Sequence, residues 1–381
     1  MSRERIVLKR RKPSCGWVDQ YNMSIEIQPN IRKAQVQDSR NLASLANKAF
    51  KGYPFEYVFS EDGTKEAIAR GEQRWVILNE NNQITGCAVL GLTDSRMAEV
   101  MRVMIDPSLR KNGAATYLTK RLSLEAINEG KYAWADVRGD QIGMQRAGMG
   151  ASMKAISLEQ GKHVVYNHKD SEGRELGPAR ETMVHMTTLP VNELDLKNEI
   201  VKLPYIIREQ LAKNLKSSLN PTLKDQSLSA AKLPNAKTTK ERVLNSINYY
   251  SEKIGSIVSI NNDIKKIETA GINTIVVLPD ASAFILNGGH LDETVNLLTA
   301  VGIQVATYYC DLNDEKMRQK AIDAGMEAAS IRPWVNEKTG QIVWQIAWRK
   351  TANDYKDCLH TISLDPIVER QIMKIINIVE K

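Results

Sequence analysis

Cysteine is scarce in this sequence. Cys15, Cys87, Cys310 and Cys358 are the only four among 381 residues, and no two form a Cys-x-x-Cys pair. That argues against a disulfide frame or a paired-cysteine zinc site and suits free thiols in a reducing cytoplasm. Long apolar runs are also missing, so no segment is expected to span a bilayer, and the N-terminus lacks the apolar core of an export signal. Neither Gly-x-Gly-x-x-Gly nor Gly-x-x-x-x-Gly-Lys-Ser/Thr occurs, which removes the two common nucleotide fingerprints. His163, His168 and His185 have no tight ligand spacing and share no clear carboxylate, so no metal is expected. Aromatic residues make up only 6% of the chain, yet three of its four phenylalanines, Phe50, Phe55 and Phe59, fall in one short stretch.

The remaining composition is that of a soluble globular protein, with 42% hydrophobic and 25% charged residues and room for two domains. The net charge is +7, and residues 1–12 hold six basic side chains against Glu4 alone. A solvated arm and an arm that meets an anion, either nucleic acid or cofactor phosphates, both fit that charge. The rest of the chain is nearly neutral without a basic stripe, which disfavours nucleic acid as the main partner.

The most informative stretch runs from Val100 to Leu118. Val100, Val103 and Ile105 form a short β-branched run that suits a buried strand. Asp106-Pro107 ends it, because proline lacks the ladder donor. Beyond Gly113 the period changes, and Ala115, Leu118, Leu122 and Ala126 share one face of a helix. Arg110, Lys111, Asn112, Gly113, Ala114 and Ala115 therefore lie at a helix N-terminus. Free N–H groups and the helix dipole favour an anion there, and small residues let a phosphate approach the backbone.

This strand, proline, loop and helix resemble the acyl-CoA-binding motif of the GCN5-related N-acetyltransferase (GNAT) superfamily, with Arg110-x-x-Gly113-x-Ala115 standing for its loop. The resemblance covers residues 31–189. It implies an α+β, mixed-sheet GNAT fold, acetyl-CoA or another acyl-CoA as cosubstrate, no metal, and acyl transfer to a primary amine by direct attack. The alternative is an acyl-CoA-binding sensor or interaction protein on the same scaffold. Pyrophosphate would sit on residues 110–115 and pantetheine along Val103, Met104 and Ile105. Gln145, in the Gln-Arg pair of the following helix, joins the cofactor residues. An attacking amine has an ordinary pKa near that of lysine, about 10, so the site must accept a proton. Glu99 is the candidate base; the fourth helix offers no tyrosine, so Tyr166 or another group would supply the proton, or the thiolate would leave without one. Tyr53, Phe55 and Tyr57 would line the acceptor pocket; a hydrophobic plug is the other reading of that stretch. The acceptor is a small molecule or a peptide amine. The sequence admits a homodimer and does not specify one.

Other elements follow from periodicity. Expected strands are residues 31–34, 74–78, 84–90, 132–137, 162–166 and 182–187, and residues 141–155 read as a helical stretch. Residues 1–30 form a basic extension. Pro190 opens a helical connector over residues 190–270. A C-terminal α/β unit spans residues 271–381, with strands at 273–278, 303–309, 331–335 and 341–349 and a closing helix from Asp365-Pro366. Its order parallels the later part of the first unit, so it reads as a degenerate GNAT-like half. It lacks the Arg-x-x-Gly-x-Ala loop; Asn287-Gly-Gly289 is only a weak anion-site candidate, and a plain loop is favoured there.

Overall fold

A computed structural model describes residues 30–50, 53, 55–80, 83–91, 96–165, 168–169, 175–176, 179–219, 255–261, 264–269, 273–277, 282–286, 288–300, 302–351 and 362–381. Residues 1–29 of the basic extension, Tyr166, residues 220–254 of the expected helical connector, Asn287, Cys15 and Cys358 lie outside the described residues.

The first strand, β1 (Asn30–Lys33), leads into α1 (Ser39–Ala49). Asp38 does not cap that helix with its side chain. Its carboxylate instead accepts Arg32 Nη1 at 2.6 Å, Arg32 Nη2 at 2.7 Å and the Gln35 amide at 2.7 Å. Helix α2 (Glu61–Ala69) is started by Ser60, whose side chain accepts the Gly63 amide. The hairpin β2 (Gln73–Glu80) and β3 (Gln83–Gly91) is antiparallel, as expected. Then come β4 (Met97–Ile105), α3 (Ala114–Asn128), β5 (Tyr132–Arg138) and α4 (Ile142–Gly150). Helix α4 is shorter than the expected 141–155, because Ser152 adopts φ 66° and Lys154 already opens a strand. That strand is β6 (Lys154–Val165), followed by the small pair β7 (His168–Lys169) and β8 (Glu175–Leu176) and then by β9 (Ala179–Thr187). The sheet runs β1-β2-β3-β4-β5-β9-β6, and only β4 and β5 are parallel.

After α5 (Glu193–Ile200) and α6 (Tyr205–Leu219) the second sheet opens at β10 (Gly255–Asn261) and β11 (Ile264–Thr269). Both strands lie in the region expected to be helical connector; their polar, short runs carry little apolar alternation. Next are β12 (Asn273–Val277), β13 (Ser282–Ile285), α7 (Leu291–Ala300), β14 (Val305–Asp311), α8 (Glu315–Asp323), β15 (Glu327–Val335), β16 (Ile342–Thr351) and α9 (Pro366–Glu380). Strand β13 falls inside a segment that reads as loop, since four residues are too few to show a period. The second sheet runs β10-β11-β12-β13-β14-β16-β15, with β13 and β14 as its parallel pair. It repeats the strand order of the first.

The repeat extends to detail. The outermost strands β6 and β15 each carry a register irregularity, between Ala155 and Ser157 and between Ala328 and Ser330. The amide of Ala155 is taken by Gln371 of α9, and that of Ala328 by Gln210 of α6, both at 2.9 Å. Each sheet's trailing helix thus serves the other sheet. Val368, Ile372, Ile375, Ile376 and Val379 of α9 are buried in a core shared with α5, α6 and both sheets. Each such side chain contributes roughly 1.5–3 kcal/mol. A second core, Leu42, Leu45, Val58, Trp75, Ile77 and Met104 among others, lies under α1 and α2 on the opposite face of the first sheet.

Candidate functional site

Strand β4 shapes the site. It pairs with β5 only at Met97–Tyr132, Ala98–Ala133 and Glu99–Trp134, and beyond Glu99 the two strands part. On its other edge its register with β3 slips: Cys87 faces Met104 and Val89 faces Met101, which leaves one extra residue in β4. Arg102 lies in that bulge with φ 51°. The β5-side edge of residues 100–105 therefore has no strand pairing, and its peptide groups face the opening between the strands.

Strand β4 runs into a short turn at Pro107–Leu109, tied by the Asp106 carboxylate to the Ser108 amide at 3.0 Å. Lys111 and Gly113 both take positive φ, 72° and 80°, and deliver the chain to the start of α3. Gly113 is the N-cap and offers no side chain, so the first-turn amides of Ala114, Ala115 and Thr116 have no acceptor among the described residues. This is the condition for anion binding at a helix start. Arg110 Nη2 donates to the Ala49 carbonyl at 3.0 Å and ties this loop to the end of α1. Helix α3 also approaches α4 closely: a Cβ on Gly150 would collide with Thr116 Cγ2.

An aromatic wall stands on the face covered by α1 and α2. Phe50 stacks on Tyr53 at 4.4 Å, Tyr53 meets Phe55 at 5.4 Å, and Phe55 meets Tyr57 at 6.4 Å. The Arg102 guanidinium lies 5.2 Å from the Tyr57 ring, 5.8 Å from Phe55 and 5.9 Å from Trp75. Its Nη1 donates to Gln73 Oε1 at 2.9 Å. Burial opposes the charge of Arg102, but Tyr53, Tyr57 and Glu99 outweigh it and the pKa is raised. Burial pushes the Tyr53 hydroxyl up to about 12, so it stays protonated near neutral pH.

The residues singled out from sequence thus fall in three places. Residues 110–115 form the open helix start. Tyr53, Phe55 and Tyr57 come together beside the bulge. Glu99 marks the point where β4 and β5 part, half-buried and next to Trp134. Met104 and Ile105 turn their side chains into the two cores, so only their backbone is available to a bound molecule. Gln145 requires correction. It is fully buried, its Nε2 donates to the Gly139 and Ser363 carbonyls, and its Oε1 accepts the Asp365 amide at 2.7 Å. It fastens the chain entering α9 and is not presented to a cofactor. Arg102 is the residue that sequence reasoning passed over. Its signal was a lone arginine within the apolar run 100–105, a charge that a buried strand does not admit without a reason.

Among the described residues the second half shows no such site. Strand registers put Phe284 where the first half has Glu99, and no slip is seen between β12 and β13. The loop before α7 is held from the side by Lys320, whose Nζ donates to the Gly289 carbonyl at 2.8 Å. Among the described residues no group of histidine, cysteine, aspartate and glutamate side chains is arranged to hold a metal. No described helix is long and apolar enough to cross a membrane.

Comparison with known proteins gives one family match and several similar structures. No curated protein matches the sequence. The ribosomal-protein-S18-alanine N-acetyltransferase from Escherichia coli is 16% identical, over 41% of this chain and 90% of its own, with a TM-score of 0.32. An N-acetyltransferase from Staphylococcus aureus Mu50 is 16% identical over 41% of this chain and 95% of its own, with a TM-score of 0.34. A phosphinothricin acetyltransferase from Sinorhizobium meliloti in complex with AcCoA is 15% identical over 42% of this chain and 88% of its own, with a TM-score of 0.34. Residues 40–147, from α1 through most of α4, match the family model of the acetyltransferase (GNAT) family.

Proposed function

We propose that the protein is an N-acyltransferase that carries acetyl from acetyl-CoA to a primary amine by direct attack. The observation that carries this reading is the joint geometry of β4: it parts from β5 after Glu99, and it leads directly to a helix start with unfilled amides. The cofactor's pyrophosphate would lie on residues 110–116, with Arg110 and Lys111 adding positive charge. Its pantetheine arm would take the place of the missing strand partner along residues 100–105. The thioester oxygen would then meet backbone N–H groups at the bulge. Glu99, at the mouth of the opening, would take the proton from the attacking amine directly or through water.

Calorimetric titration of acetyl-CoA into the intact chain tests cofactor binding, with Gly113→Glu as the control that places a side chain and a negative charge in the phosphate position. Thiol release across a broad amine panel tests transfer. Glu99→Gln is expected to lower turnover about 10²-fold or more while leaving acetyl-CoA affinity within about twofold. Wild-type protein that does not bind acetyl-CoA would sink the reading. Binding without thiol release from any amine would leave a non-catalytic acyl-CoA sensor in its place.

A further inference from the structure

Arg102 lies in the β4 bulge beside the aromatic wall, and its surroundings leave buried donors without acceptors. It is 8% exposed, yet among the described residues no carboxylate lies within ion-pair distance of it. Glu99 acts on it only at longer range. Its Nε is buried without an acceptor, and so is Nε1 of Trp75, the ring that the guanidinium faces at 5.9 Å. Tyr53 and Tyr57 add phenol hydroxyls to the same cluster; the guanidinium donates to Gln73 Oε1 at 2.9 Å and is also hydrogen-bonded with Tyr53. The cluster thus holds a buried cation and two buried N–H donors, Arg102 Nε and Trp75 Nε1, that lack acceptors among the described residues. A buried cation and orphaned donors are destabilising by themselves and are relieved when an anion arrives. A carboxylate satisfies guanidinium and indole N–H groups together, whereas a second ammonium would be repelled.

We propose that Arg102, with Trp75 and the tyrosines beside it, binds a carboxylate of the acceptor, so that the substrate is an amine that also bears a carboxylate, as an amino acid or a peptide with an acidic group does. The inference rests on the acyltransferase reading and sharpens it: the bulge that opens the cofactor channel also carries the residue that selects the acceptor. Polyamines and amino sugars without acidic groups are disfavoured.

The test uses the intact chain saturated with coenzyme A. Thermal shift is measured with two matched sets of probes, free α- and ω-amino acids and their carboxamides, for wild type, Arg102→Gln and Arg102→Lys. The expected result is that at least one acid raises the wild-type melting temperature while its carboxamide does not. Arg102→Gln abolishes that difference, and Arg102→Lys retains part of it. A purely structural Arg102 would lower the melting temperature of Arg102→Gln and leave the acid-over-amide preference intact, which overturns the proposal. Equal shifts by acids and carboxamides, or no shift by either set, also overturn it. Loss of coenzyme A binding by wild type would be a different failure, that of the acyltransferase reading itself.

Discussion

Ser157 and Ser330 hydrogen-bond to each other through their hydroxyls while occupying the same position in two different sheets, the residue just past the irregularity in the outermost strand. A local two-fold relation passes between them. The helices obey it as well, since Gln371 and Gln210 take the equivalent amides of Ala155 and Ala328. The charges do not. Glu159 follows Ser157 by two residues, whereas Arg332 follows Ser330, and Glu159 accepts a hydrogen bond from Tyr309 of the second sheet at 2.5 Å. The halves are alike in backbone and complementary in polarity.

Because each half supplies a helix to the other, the whole chain is expected to unfold in one transition. Gln210→Ala and Gln371→Ala each strand a buried amide and are expected to cost about 1–3 kcal/mol. Scanning calorimetry checks both points: either variant should lower one common melting temperature, and two separate transitions would contradict the exchange.

Lys162 Nζ stands 2.5 Å from Asp136 and 2.7 Å from Glu159, and Asp136 also meets His185 Nδ1 at 3.0 Å. Burial alone would raise both carboxylates, but Lys162 outweighs it and both are held below the usual carboxylate range. A depressed folded-state pKa contributes stability above the unfolded value, about 4, and that stability is lost as pH falls through the folded value. Acid unfolding below about pH 4 is therefore expected to draw on this cluster. Lys162→Met takes from two buried carboxylates the ammonium they share and is expected to cost about 3–5 kcal/mol near neutral pH. That deficit should narrow toward pH 4 as the carboxylates take up protons; urea titrations of both proteins across pH would reveal a constant deficit if the cluster were not ionised.

Gln145 joins α4 to the segment that enters α9, and Arg146 beside it pairs with Asp365 at 2.8 Å. Gln145→Ala leaves the buried Asp365 amide without its acceptor. The expected outcome is a loss of about 1–3 kcal/mol in stability with acetyl-CoA affinity unchanged. A large drop in affinity at unchanged stability would restore Gln145 to the cofactor site.

Gly150 is required by its neighbour. An alanine there would meet Thr116 Cγ2, so Gly150→Ala is expected to destabilise by about 1–3 kcal/mol. Thr116→Ser removes that methyl and should recover most of the loss. A melting-temperature cycle over the two sites measures the coupling.

Gly113 has no neighbour within contact distance of a Cβ, and its requirement comes from φ 80° alone. Gly113→Ala is expected to cost about 1–2 kcal/mol, whereas Gly113→Asn, which tolerates the left-handed region, should cost less. Chemical denaturation of the two variants separates conformational strain from crowding.

The sequence by itself determined the first unit's strand and helix order and the helix start at Gly113. These are local: apolar periods, a proline stop and a glycine at positive φ depend on neighbours a few residues apart. It also showed the aromatic concentration at 50–59. Only the tertiary structure decided what those aromatics surround, because Arg102 reaches them through a bulge set by pairing with β3, and a slip between strands leaves no mark on either strand's composition. The same reason hides β10, β11 and β13, whose short runs become strands by hydrogen-bonding to neighbours. Gln145 reads identically as a ligand or a brace until the chain returns, more than two hundred residues later, to place Ser363 and Asp365 on its amide.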